Sequence, residues 1–200
     1  MKIFRNRTLL FALTLALLLL VMLLSPLEAV LGWRARLVYL HGAWVWTGKI
    51  AYALAGLAGL LALVWARRRV WAAGWSLALG RTGLVFWLTY LPMSLWVQQI
   101  NWGGIFWDEP RWRIPLAFGV AGALVQLALL LFDQPLLTSA ANLVFGAALW
   151  VSLARIDNVL HPDSPIFGSG AARIEIFFLL LVAISLACMA QITLMWRRTS

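Results

Sequence analysis

Six stretches of this 200-residue chain are apolar over lengths that cross a bilayer, and that restricts the fold more than any other feature. Inside hydrocarbon every backbone N–H and C=O must be satisfied within the protein, which an α-helix does within its own segment. At a rise of 1.5 Å per residue, about 20 residues cover roughly 30 Å of lipid core. The stretches are Thr8 to Leu24, Leu37 to Trp65, Trp75 to Val97, Ile114 to Phe132, Leu136 to Leu153 and Ile174 to Trp196. The expected fold is therefore all-α, a polytopic bundle of six transmembrane helices forming one integral membrane domain over residues 1–200. A hydrophobic fraction of 64% and a mean hydropathy of +0.90 agree, since a soluble globule could not cover so much apolar surface. The first stretch follows Lys2, Arg5 and Arg7 and exceeds the ~7–15 residues of a signal core, so it reads as a retained span. Cleavage would leave the topology of the rest unchanged.

A net charge of +9 would suggest nucleic acid in a soluble protein. Here the arginines stand at the ends of apolar runs, where they orient helices, and no nucleic-acid partner is expected. With the N-terminus inside, nine basic residues fall on the cytoplasmic side: Lys2, Arg5, Arg7, Arg67, Arg68, Arg69, Arg81, Arg197 and Arg198. Six fall outside, at Arg34, Arg36, Arg111, Arg113, Arg155 and Arg173. Both termini are thus expected to be cytoplasmic. Cys188, the single cysteine, lies inside an apolar run and leaves no disulfide, redox pair or covalent haem-attachment motif.

The inner connections are short, and Pro135 in Asp133-Gln134-Pro135 opens a helix at little cost. The outer ones, Ser25 to Arg36, Gln98 to Arg113 and Ala154 to Arg173, are longer, so chemistry is expected there. Ala51, Ala55 and Gly59 form a small-residue stripe suited to close helix packing, and Gln99 and Gln126 are candidates for interhelical hydrogen bonds.

The only two histidines, His41 at the head of the second span and His161 after the fifth, are brought by this topology to the same outer surface. Neutral imidazole is the commonest protein ligand for a metal. A structural zinc site would need four protein ligands, and the outer acids Asp108, Glu109, Asp157 and Asp163 read as solvent-facing. Haem supplies four equatorial nitrogens itself and needs only axial ligands, which two histidines provide. Between spans three and four, Trp102, Trp107 and Trp112 share one short segment with Asp108, Arg111 and Arg113. The segment reads either as an aromatic belt or as a flat apolar platform for a planar ligand, with arginines to pair its carboxylates. As a short interfacial helix it would place Trp102, Ile105 and Phe106 on one face.

Trp102-Gly-Gly-Ile-Phe-Trp-Asp108 resembles the tryptophan-rich, Trp-Asp-ending signature (WWD motif) of the cytochrome c assembly family. A histidine heading span two, that signature between spans three and four, and a Leu-His after span five are together similar to the CcmC-type haem-handling membrane proteins. Ile105-Phe106 stands where the family signature is richer in tryptophan. The resemblance implies haem b, transiently bound, with His41 and His161 as axial ligands of its iron. It further implies a platform over residues 98–113 containing Trp102, Gly103, Trp107, Asp108, Trp112, Arg111 and Arg113. The implied setting is a bacterial-type inner membrane with the haem site extracytoplasmic. The implied partners, besides membrane lipid, are a membrane-anchored haem chaperone and ABC-transporter-type subunits of the maturation system. Such a protein is a carrier and not an enzyme.

Lys49 lies about 12 Å along the helix from His41. A central lysine costs on the order of 2.5–3.5 kcal/mol on insertion scales, so it either faces a cavity or snorkels. Arg34 and Arg36 are further candidates for pairing propionates. Two other functions remain open at this point: a membrane b-type cytochrome exchanging electrons with quinone, and a small-molecule permease whose Lys49 and Gln126 line a cavity.

Overall fold

The computed structural model describes residues 2–156 and 166–199. Each of the six apolar stretches is an α-helix: α1 (Lys2–Leu24), α2 (Ala35–Val64), α3 (Arg69–Trp102), α4 (Pro110–Phe132), α5 (Pro135–Ala154) and α6 (Ala172–Thr199). Five of them, all but α3, are long and apolar enough to cross a membrane, which makes this a helical membrane bundle. At 34 residues α3 is the longest, yet Arg81 and its tryptophan, glycine and hydroxyl side chains dilute its hydropathy. It packs against α2, α4, α5 and α6 and so has less lipid to face.

Consecutive helices run antiparallel, as the residues brought together at one end of the bundle show. A 3₁₀ turn at Ala66–Arg68 reverses the chain between α2 and α3. Asp133, in the left-handed region at φ 43°, ends α4, and Pro135 begins α5 where its missing N–H costs nothing. The N-terminal ends of α2, α4 and α6 therefore gather at one end of the bundle with the C-terminal ends of α1, α3 and α5. That end carries His41. The opposite end carries Arg67, Arg68, Arg69 and Arg197.

The central helix is α2, with a core on each side. On one side Tyr39, Leu40 and Ala43 pack with Leu18 of α1 and Phe178, Leu181 and Ile184 of α6. On the other, Tyr52 packs with Trp87, Tyr90 and Leu91 of α3, Trp112 of α4, and Phe145 and Leu149 of α5. The outer helices α1 and α4 leave Leu10, Leu13, Leu124, Leu127 and Leu131 exposed, as a surface facing hydrocarbon should. Of the small-residue stripe, Gly59 brings backbones of α2 and α5 together, while Ala51 packs with Phe86 of α3 and Cys188 of α6. A side chain at Gly59 would run into the Ser139 carbonyl of α5, and one at Gly146 would sit 2.8 Å from the Tyr52 carbonyl of α2.

A buried polar network ties four helices. The Ser76 hydroxyl donates to the Ala55 carbonyl at 2.8 Å, Asn142 Nδ2 donates to Ser76 O and Oγ at 3.0 Å each, and Gln126 Nε2 donates to Asn142 Oδ1 at 2.9 Å. Gln126 is thus an interhelical hydrogen-bonding residue. Its neighbour in expectation, Gln99, is exposed, and the buried glutamine at that end of α3 is Gln98.

Candidate functional site

At the His41 end, one face of α2 and one face of α3 diverge around a cavity of about 620 Å³. That size falls within the roughly 300–1,000 Å³ of small-molecule and cofactor sites. Helical spacing selects the lining. Val38, His41, Val45 and Lys49 share a stripe of α2, and Tyr90, Ser94, Gln98 and Asn101 share one of α3. Glu109 and Arg111 close the mouth from the start of α4, Leu153 and Ile156 from the end of α5, and Phe178 from α6.

His41 lies on the cavity wall six residues into α2. Its ring rests against Tyr90 at a centroid distance of 5.3 Å, Tyr90 against Trp87 at 5.1 Å, and Trp87 Nε1 donates to the Pro115 carbonyl of α4 at 2.9 Å. A series of rigid aromatic contacts anchored on a neighbouring helix thus fixes where the imidazole sits. The second expected ligand, His161, lies outside the described residues, as do Asp157 and Asp163. The described residues flanking that segment, Ile156 and Ile166, both line the cavity.

The tryptophan-rich segment divides. Trp102 and Arg111 line the cavity, while Gly103, Trp107, Asp108, Trp112 and Arg113 do not. No interfacial helix forms there. Instead α3 continues to Trp102 and stops because Gly103 adopts the left-handed conformation, φ 71°, its N–H bonding back to the Gln99 carbonyl. The link that follows is pinned where the Phe106 N–H donates to Gln98 Oε1 at 3.0 Å. Trp107 is exposed and meets Trp112 edge-on at 6.0 Å, and Asp108 pairs with Arg113 at 3.8 Å with both side chains in solvent. Trp112 is buried in the core with Trp87 and Tyr90.

Glu109 corrects the expectation of a solvent-facing acid: it is 7% exposed and sits on the cavity wall. The sequence held the signal, because Pro110 suits the first position of a helix and starts α4 four residues before Ile114. Lys49 faces the cavity. Its Nζ lies in the cavity wall between two indoles, 4.1 Å from the Trp46 ring centroid and 4.5 Å from that of Trp150. Each such contact contributes about 0.5–2 kcal/mol, which offsets part of the cost of an ammonium at this depth. Arg34 Nη1 donates to the Ile100 carbonyl at 3.4 Å and Arg36 Nε to that of Ser25 at 3.3 Å, so both tie the loop before α2 to its surroundings. Neither lines the cavity.

The arrangement presents one imidazole, two cations and one carboxylate in a largely apolar cleft, a setting for an amphipathic ligand with acidic groups. Among the described residues no three metal-ligating side chains come together. Compared with protein-family models, curated proteins and solved structures, the chain matches none.

Proposed function

We propose that the protein is a haem handler of cytochrome c maturation, a multi-pass protein of a bacterial-type inner membrane that holds haem at the extracytoplasmic surface and passes it to an acceptor. The observation that carries this reading is that His41, Trp102 and Arg111, from separate segments, line one cavity of about 620 Å³. An iron ligand, an aromatic wall and a partner for carboxylates are what a porphyrin requires. With no cluster of protein donors among the described residues, a ligand that brings its own four nitrogens suits the site better than a bare cation. The second ligand in this reading, His161, belongs to the segment between Ile156 and Ile166, two residues that line the cavity.

The six alternating helices put the Arg67 to Arg69 cluster and Arg197 at the end opposite His41. Cytoplasmic retention of that cluster leaves His41 outside, both termini inside and α3 as the sixth span. Haem is cargo here. His41 and His161 ligate its iron, Trp102 lies against the ring, and the open mouth lets an acceptor ligand replace one imidazole. A membrane-anchored haem chaperone is the acceptor this reading names, with ABC-transporter-type subunits of the maturation system as further partners.

The test is a ferric haem titration of the detergent-solubilised protein. A sharp Soret band, with α and β bands on reduction, is expected from two nitrogen ligands. His41→Ala and His161→Ala should each change it. An unaltered spectrum in both variants sinks the reading. Rapid reduction by quinol without release of haem to an apo-acceptor would indicate a resident electron-transfer cytochrome instead.

A further inference from the structure

Lys49 sits two helical turns beyond His41 on the same face of α2, about 12 Å along the axis, and lines the same cavity. Its ammonium is held between Trp46 and Trp150. Among the described residues no carboxylate pairs with it. The acid on the cavity wall, Glu109, is at the mouth, and the second cation, Arg111, is near enough to repel Lys49. Trp46 and Trp150 give the ammonium two aromatic faces but no negative charge. A cavity that keeps a cation in its wall under these conditions is set up to receive an anion there.

We propose that Lys49 is the anchor for an acidic arm of the ligand, so that the cavity selects a planar apolar body carrying a carboxylate. The proposal rests on the haem reading, under which that arm is a propionate and the macrocycle stands along α2 with its iron at His41. The two backbone positions are about 12 Å apart along the axis, and the flexible lysine stem lets the ammonium reach back to an acid arm shorter than that. Helical side chains lean towards the N-terminus, and the longer lysine leans further, its Nζ lying 4.1 Å from the ring of Trp46 one turn back, so the ammonium is nearer the imidazole than the backbone spacing. Seating is then two-point: the imidazole holds the metal and the ammonium holds the arm. An acceptor that takes the iron first leaves the porphyrin tethered until the arm is withdrawn.

The experiment compares ferric haem, its dimethyl ester and metal-free protoporphyrin in binding titrations on the wild-type protein, Lys49→Met and Lys49→Arg. A charged hydrogen bond lost from a site of this kind corresponds to roughly tenfold to a hundredfold in affinity. Wild-type protein should bind haem at least tenfold more tightly than the ester, and K49M should lose the share of that preference not held by Arg111 while K49R keeps it. Protoporphyrin, which has the acids but no iron, should be weakened by K49M and unaffected by His41→Ala. Equal binding of haem and ester by the wild type overturns the Lys49 assignment and leaves the haem reading standing, as does an undiminished preference in K49M. Failure of the wild type to bind any of the three overturns both.

Discussion

Three glycines on one helix interface give a rank order that follows from geometry alone. Gly56 and Gly59 of α2 face α5, and Gly146 of α5 faces α2. A Cβ at Gly59 would collide with the Ser139 carbonyl oxygen and lie 3.2 Å from its carbon, all of it backbone that cannot rotate away. At Gly146 it would lie 2.8 Å from the Tyr52 carbonyl oxygen. At Gly56 it would lie 3.4 Å from the Asn142 carbonyl oxygen and 3.5 Å from Leu143 Cα, an ordinary contact. Overpacking costs about 1–3 kcal/mol, and glycine to alanine inside a helix gains about 0.5–1 kcal/mol. Gly59→Ala, at the upper end of that cost, is therefore expected to lose about 2 kcal/mol net, Gly146→Ala about 1 kcal/mol, and Gly56→Ala nothing. For a chain of this length 1 kcal/mol shifts the melting temperature by about 2–4 °C, which predicts falls of about 4–8 °C and 2–4 °C for the first two. Cys188, fully buried and the single cysteine, serves as the reporter: a thiol-reactive dye added to detergent-solubilised protein reads unfolding as the thiol emerges. Equal melting of all three variants, or Gly56→Ala as the weakest, would refute the interface as described.

The same buried thiol leaves a silent background for mapping sides: Gly168→Cys, on the His41 end, should react with an impermeant maleimide in intact cells, whereas Arg68→Cys should react only after lysis. Labelling of Arg68→Cys alone would invert the proposed orientation. Asn142→Leu removes three interhelical hydrogen bonds at about 0.6 kcal/mol each, so a loss of about 2 kcal/mol is expected in the thiol-dye melt, with Ser76→Ala losing less. No change in Asn142→Leu would show that the network contributes nothing net. Trp87→Phe cuts the bond to the Pro115 carbonyl and loosens the support behind Tyr90 and His41. It should cost about 1–3 kcal/mol and shift the Soret maximum of the haem-loaded protein, and an unmoved spectrum would mean that the aromatic series does not position the imidazole.

All six helices were legible in the sequence because each apolar run is bounded by charges, glycine or proline, signals that act within a turn or two of the helix end. Depth within the bundle was less so. A helix in lipid is apolar on every side, so its pattern does not announce which face packs inward. The stripe of Ala51, Ala55 and Gly59 was readable because small residues have one obvious use, whereas the pairing of Lys49 with Trp150 joins residues 101 positions apart and has no local signature. The tryptophan-rich segment shows how a boundary decides chemistry. Starting α4 at Pro110 rather than Ile114 makes Arg111 and Trp112 consecutive helical residues, set about 100° apart around the axis. They cannot share a face, so when Arg111 turns to the cavity Trp112 must turn to the core, where it packs on Trp87 and Tyr90. The same start draws Glu109 into the wall and leaves Trp107 and Asp108 on the exposed link. What read as one platform over residues 98–113 is thus two structures, a cavity wall built from Trp102, Glu109 and Arg111 and an outward surface built from Trp107, Asp108 and Arg113, and only the first shares the cavity with His41.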